Sequence, residues 1–303
     1  MKPSGRLPNF VYIGPDKAGS SWLHEALSHH PQIKLSEAKD LYFFDRFYSR
    51  GEQWYANQFR GTEPQHVVVG EVCPDYLASP EAPARMHHVI PEAKLVVTLR
   101  DPATRAFSSY LYMRKHGEGP STFREALSSF PDLLEHGRYG TQLSRFQEFY
   151  SGDSLFVGLF DDLRTDPQGF IDGLTDWLGL NRNPLPDGEL EARLPASRAR
   201  VPLLAWLVRR SADFVRTHDG AKIVGRIKRS RLVHSVLYEP LGEDAPVLAD
   251  DDRDLVRDTL MDEVVEAERL SGLPLRERWG WPVAGRASQP TTSAAPAERQ
   301  ERS

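Results

Sequence analysis

The stretch FVYIGPDKAGSSWLHEAL, residues 10–27, passes from an apolar run through a loop of small residues into a helical pattern. Phe10–Ile13 reads as a buried strand stopped at Gly14-Pro15. The serines read as caps for a helix in which Trp22, Leu23, Ala26 and Leu27 recur at helical spacing, and His29, His30 and Pro31 end it. A Walker A loop reads G-x-x-x-x-G-K-[ST], with its lysine after the second glycine. Here Lys17 precedes Gly19, and Ser20 and Ser21 follow. A strand entering a helix N-terminus through small residues offers unpaired backbone N–H groups and a favourable dipole to an anion. Gly19 allows close approach, the serines add hydroxyl donors, and Lys17 adds a mobile positive charge. The stretch reads as a phosphate site; the alternative is a capped helix with a lysine facing solvent.

Working outward, QHVVVGEV predicts a second strand, Val67 to Val72, and AKLVVTLRDP a third, Leu95 to Leu99. Pro102 suits the first turn of the helix expected next, about Ala103 to His116. SLFVGLFDDL predicts a fourth strand, Leu155 to Phe160, and helical patterns cover Tyr139–Tyr150 and Pro167–Leu180. Strands alternating with helices predict an α/β fold: a central, mainly parallel sheet flanked by helices.

The 303 residues suffice for one large α/β domain or two small ones; one domain over about 7–285 is expected. Net charge is −5, which gives the molecule as a whole no electrostatic reason to seek nucleic acid. The single cysteine, Cys73, excludes an intrachain disulfide and fits a reducing compartment. No signal-like or membrane-spanning apolar run is visible, so a cytoplasmic protein without membrane association is expected. His29-His30 and His87-His88 lack metal-ligand spacing, so no metal is expected.

After about Pro184 the character changes. Arg198 to Arg231 holds ten Arg or Lys residues against Asp213 and Asp219, and Glu239 to Glu268 holds twelve acids against Arg253 and Arg257. These read as helical surface segments, about 185–245 forming an acceptor-side cap, or as a source of one basic side chain that folds over an anionic ligand. The polar residues 286–303 read as a disordered tail.

A second anion element is VVTLRDPATRAFSSYLY, residues 96–112. Arg100 falls at the carboxyl end of a strand, where open α/β sheets bind ligands. Ser108 lies two turns into the next helix and Arg105 a turn before it. A guanidinium and a hydroxyl so placed can grip a second phosphate; alternatively Arg100 pairs with Asp101 or another carboxylate. Two phosphate elements after two strands imply a nucleotide with phosphates at both ends of its sugar.

KAGSSWL and LRDPATRAFSSY together resemble the phosphate elements of sulfotransferases that use 3′-phosphoadenosine 5′-phosphosulfate (PAPS). The resemblance is to the branch containing heparan sulfate sulfotransferases and bacterial tailoring enzymes. KDLYFFDRFYSRGEQWYANQF, residues 39–59, is similar to that branch's K-E-x-H-F-F-D…G-x-x-W-Y…F segment. VVGEVCPDYLASPEAPARM is similar to its G-E-x-x-P-x-Y-L segment. The likeness runs from about Pro8 to Leu180, with a looser match at LRERWGW.

The resemblance implies a P-loop-like fold and sulfuryl transfer from PAPS to a hydroxyl of a small-molecule, glycoside or carbohydrate acceptor, releasing adenosine 3′,5′-bisphosphate. It implies that Lys17 neutralises the leaving oxygen, that the loop Ala18, Gly19, Ser20, Ser21 and Trp22 holds the 5′-phosphate, and that Arg100 and Ser108 hold the 3′-phosphate. Arg198 or Arg200 is the candidate for a late basic loop over the nucleotide. Asp40 stands at the position of the family's base, with Glu71 the competing base. This chain departs from the pattern in carrying aspartate rather than glutamate at 40, Tyr42 in place of histidine, and Val72 where some relatives have lysine. Phe43, Phe44, Trp54 and Tyr55 read as core and cleft wall. A P-loop kinase would need its lysine after the glycine; a nucleotide-binding protein without turnover is the other alternative. A homodimer is compatible with the sequence.

Overall fold

A computed structural model describes residues 6–186, 197–199, 238–240 and 246–283. Five strands form one parallel sheet: β1 (Phe10–Gly14), β2 (Ile33–Leu35), β3 (Val68–Val72), β4 (Lys94–Leu99) and β5 (Leu155–Leu159), in the order β2-β3-β1-β4-β5. The expected parallel α/β architecture is present. β2, only three residues long, adds an edge strand that the sequence pattern does not announce.

Side chains alternate between two cores, as period-2 geometry requires. On β1, Val11 and Ile13 enter one core while Phe10 and Tyr12 enter the other. The second core is closed by α1 (Ser20–Ser28), α8 (Phe160–Thr165) and α9 (Pro167–Leu178). The first is closed by α2 (Gly51–Ala56), α3 (Ala82–Val89), α4 (Pro102–Lys115), α5 (Phe123–Ser129), α6 (Asp132–Glu135), α7 (Tyr139–Gln147) and α10 (Asp250–Ser271). Both faces of the sheet are therefore covered, which explains why its strands read as apolar runs.

The acidic run near the C-terminus becomes α10. Asp250, Asp251 and Asp252 occupy its first turn, where the helix dipole favours negative charge. Val256, Leu260, Val264 and Ala267 form its buried stripe, each of the larger three contributing about 1.5–3 kcal/mol. One acid serves another helix: Glu263 accepts from the Thr141 backbone N–H and hydroxyl, both at 2.8 Å, at the start of α7. α11 (Leu275–Trp279) follows and carries the LRERWGW segment back onto the domain.

The expected tail at 286–303 lies outside the described residues, as does the expected cap at about 185–245 except for residues 185–186 and two short stretches, Ser197–Ala199 and Tyr238–Pro240. Those pair antiparallel as β6 and β7, so Arg198 stands in a strand rather than in a helical surface segment.

Connections from β1 and β4 leave toward opposite ends of the sheet, to β2 and β5. The carboxyl ends of β1 and β4 thus flank a topological switch point, the crevice where open α/β sheets take ligands.

Candidate active site

The loop after β1 begins at Gly14, whose φ is 142°; a Cβ there would come within 2.3 Å of the Pro74 carbonyl oxygen. Lys17 adopts left-handed backbone geometry with φ 60°, a conformation that costs a residue with a side chain about 1–3 kcal/mol. Gly19, with φ 92°, is the N-cap of α1 and makes no side-chain cap bond. The expectation that serines cap this helix is thereby corrected: Ser20 and Ser21 are its first two residues. The first intrahelical bond is Leu23 N–H to Gly19 O at 2.9 Å, which leaves the N–H groups of Ser20, Ser21 and Trp22 for a ligand. The Trp22 side chain is buried in the core, so its backbone alone faces the loop. The donor set is that of an anion site.

The loop after β4 is tied to this one. Arg100 Nη1 donates to the Lys17 carbonyl at 2.7 Å, and Thr98 Oγ1 donates to the Ala18 carbonyl at 2.6 Å. Arg100 also reaches Thr104 Oγ1 at 3.2 Å and lies 4.7 Å from the centre of the Phe160 ring. The alternative pairing with Asp101 is not what the structure shows. Asp101 Oδ1 instead caps α4 through Thr104 N–H at 2.7 Å, and Oδ2 accepts from Trp281 Nε1 at 2.8 Å. Tyr139 OH donates to the Arg100 carbonyl at 2.9 Å. Ser108 is half-buried on α4.

Lys17 Nζ sits 3.4 Å from the centre of the Tyr112 ring, a cation–π contact. Burial pulls its ammonium down to about 8, with Asp16 opposing that shift and Lys39 and Arg105 adding to it. Asp16 is gripped by Arg105 Nη1 at 2.8 Å and His136 Nδ1 at 3.1 Å. Burial opposes its charge, yet Arg105 and His136 hold its carboxyl well below the usual range.

The two candidate bases differ in access. Glu71 is completely buried. Its Oε1 accepts from Tyr55 OH at 2.7 Å and Tyr76 OH at 3.1 Å, beneath the Phe43–Tyr55 stack with centroids 4.4 Å apart. Burial pushes its carboxyl up to about 8, and Oε2 has no hydrogen-bond partner. Asp40 is joined to the end of β3 by its N–H to the Val72 carbonyl at 3.0 Å. Its side chain keeps 18% exposure and meets Lys39 Nζ at 2.9 Å. Asp40 and Tyr42 both take positive φ, 62° and 53°, so the segment turns sharply here. Nearby, Arg46 Nη2 meets Asp75 Oδ2 at 2.5 Å and its guanidinium lies 4.0 Å from the Tyr42 ring centre.

The structure thus brings Lys17, Ala18, Gly19, Ser20, Ser21 and Arg100 to one crevice, with Asp40 and Glu71 both on the β3 side. Phe43, Phe44 and Tyr55 are core residues, while Trp54 is half-buried. Arg200 lies outside the described residues, as does the side chain of Arg198. The residues that the sequence alone leaves without a role are Asp16, Thr98, Tyr112, His136 and Trp281. Asp16 carried the one available signal, an acid beside the lysine of a phosphate loop.

A family model described as "Sulfotransferase domain" matches residues 7–195. Mouse heparan sulfate glucosamine 3-O-sulfotransferase 3B1 is 34% identical over 189 residues, 59% of this chain and 48% of that protein. The human bifunctional heparan sulfate N-deacetylase/N-sulfotransferase 3 is 32% identical over 203 residues, 59% of this chain and 23% of that protein. The chain therefore spans about half the length, or less, of these curated relatives. Among solved structures, a sulfotransferase from Alicyclobacillus acidocaldarius superposes with a TM-score of 0.67 at 21% identity, covering 91% of this chain and 99% of that one. That likeness speaks to the fold.

Proposed function

We propose that this chain, which belongs to the sulfotransferase family, moves a sulfuryl group from PAPS to a hydroxyl acceptor and releases adenosine 3′,5′-bisphosphate. The observation that carries this reading is the tie between the loops after β1 and β4, Arg100 to the Lys17 carbonyl, at the switch point of the sheet. One nucleotide with a phosphate at each end of its sugar matches two anion elements fixed to one another. The free N–H groups at the start of α1, with Ser20 and Ser21, would take the 5′-phosphate; Arg100 and Ser108 would take the 3′-phosphate.

Sulfuryl transfer follows the logic of phosphoryl transfer: an in-line displacement governed by positioning and charge stabilisation. The acceptor oxygen forms the new S–O bond while the bond from sulfur to the 5′-phosphate oxygen breaks. Lys17 stabilises the charge that develops on that leaving oxygen. The proton leaves the acceptor hydroxyl for the Asp40 carboxylate, which keeps exposed surface where Glu71 has none. Lys39 Nζ, 2.9 Å from Asp40 Oδ1, holds that carboxylate in place.

The relatives named for heparan sulfate support a carbohydrate or glycoside acceptor, and a small-molecule hydroxyl is the wider class. Among the described residues no helix is long and apolar enough to cross a membrane, and the one thiol, Cys73, is free and buried; we take the cytoplasm as the working location. The test is a single-turnover assay with sulfur-labelled PAPS over a panel of hydroxylated glycosides and small molecules. Transfer of label by wild type and its loss in Lys17→Ala support the reading. Binding of Mg²⁺–ATP in place of adenosine 3′,5′-bisphosphate contradicts it.

A further inference from the structure

The phosphate loop carries an acid next to its lysine, and an anion at that position repels the ligand unless something neutralises it. Asp16 is bound from two directions, and Arg105 supplies the balancing charge. From α4 come Arg105, whose Nη1 donates to Oδ1 at 2.8 Å, and Ser109, whose Oγ lies 3.5 Å from Oδ2. From the turn before α7 comes His136, whose Nδ1 lies 3.1 Å from Oδ1. The Arg105 side chain is wholly buried; its Nη2 donates to the Leu133 carbonyl and its Nε has no partner. A buried guanidinium stripped of its carboxylate is a strongly unfavourable charge, so Asp16 is held in one place.

Lys17 lies between this anchor and a second one. Its own backbone is left-handed, and on its far side Arg100 and Thr98 hold the carbonyls of Lys17 and Ala18 at 2.7 and 2.6 Å. A residue stays in such a conformation only when its surroundings over-determine it. We infer that Asp16 is a positioning residue: its carboxylate, locked by Arg105 and His136, fixes the backbone that presents Lys17 and keeps a negative charge beside the lysine's ammonium. The charges that bear on Lys17 are Asp16 and Asp75, which favour its ammonium, and Lys39 and Arg105, which oppose it; the Tyr112 ring faces Nζ. Among the favourable charges Asp16 is the stronger. The inference rests on the reading of Lys17 as the cation at the sulfuryl donor.

Asp16→Asn keeps an oxygen for Arg105 and removes the charge. The Lys17 ammonium is followed by NMR titration of lysine-labelled protein, its signal assigned by its loss in Lys17→Arg. The expected result is a Lys17 pKa lower than wild type by about half a unit or more. Single-turnover rate is expected to fall about tenfold, equivalent to one decade of barrier, with affinity for adenosine 3′,5′-bisphosphate changed less than about threefold. An unchanged Lys17 pKa in folded Asp16→Asn overturns the inference, as does a rate equal to wild type. Asp16→Glu keeps the charge and moves it by one methylene. It is expected to leave the Lys17 pKa within about 0.3 of wild type while slowing transfer, and wild-type transfer in that variant overturns the positioning role even if Asp16→Asn fails to fold. The titration needs neither donor nor turnover, so its outcome stands apart from whether the chain transfers sulfuryl groups.

Discussion

Arg100 Nη1 donates to the carbonyl oxygen of Lys17 at 2.7 Å, across 83 residues of sequence. Two loops that belong to different strands are thereby one structural unit, and a ligand that fills one meets the other already placed. Preorganisation of this kind reduces the ordering cost of binding.

Lys17 must be an ammonium to stabilise a leaving phosphate oxygen, and burial holds its pKa near 8. Protonated lysine is lost as pH rises through that value, so the kcat/KM for donor, which reports the free enzyme, should fall on the alkaline side with an apparent pKa of about 8. Lys17→Arg should remove that limb, because a guanidinium stays charged. Lys17→Ala should lower kcat by about 10²–10³-fold with product affinity little changed. Steady-state pH profiles and calorimetry check both statements.

The half-buried and the fully buried carboxylates should separate kinetically. Asp40→Asn is expected to lower kcat by about 10²-fold or more, the usual yield of a positioned base. Glu71→Gln, which changes a group sealed beneath Tyr55 and Tyr76, is expected to leave kcat within about tenfold of wild type. Parallel single-turnover rates on one acceptor decide the matter; the reverse order assigns the proton transfer to Glu71.

Glu71 also sets a pH dependence of stability. Its carboxyl stays protonated in the folded protein up to about 8 against an ordinary value of 4.5, so unfolding releases a proton between those limits. Folding stability therefore falls as pH rises through that window, by at most about 1.4 kcal/mol per pH unit, and levels off above it. Glu71→Gln removes this slope: its advantage over wild type in urea unfolding should be small near pH 4.5 and largest above pH 8.

Trp281 links the C-terminal segment to the site. Its Nε1 donates to Asp101 Oδ2 at 2.8 Å while Oδ1 caps α4. Trp281→Phe removes the donor and leaves a buried carboxylate oxygen less satisfied, at a cost of about 1–2 kcal/mol. The melting temperature should fall by roughly 2–8 °C, readable by calorimetry.

The strands and the loop between β1 and α1 were legible because apolar runs and helical spacing are local signals. β2 was not, since three residues carry no period. Gly19, rather than a serine, takes the cap position of α1 with a left-handed backbone that no side-chain pattern declares. Glu71 shares the parity of Val69 on β3, and its side chain enters the first core with it, against Tyr55 and Tyr76. Other features had no local trace. Arg105 meets Asp16 across 89 residues and Trp281 meets Asp101 across 180, and such pairings are set by packing alone. The left-handed turns at Asp40 and Tyr42 belong to the same class.

The central claim is that one nucleotide spans the two loops, with a phosphate on each. Calorimetric titration of wild type and Arg100→Ala with adenosine 3′,5′-bisphosphate and with adenosine 5′-monophosphate tests it directly. The account predicts that wild type binds the bisphosphate at least about 30-fold more tightly, near 2 kcal/mol, and that Arg100→Ala erases most of that preference. Equal affinity of wild type for the two nucleotides, or a preference that survives Arg100→Ala intact, would contradict it.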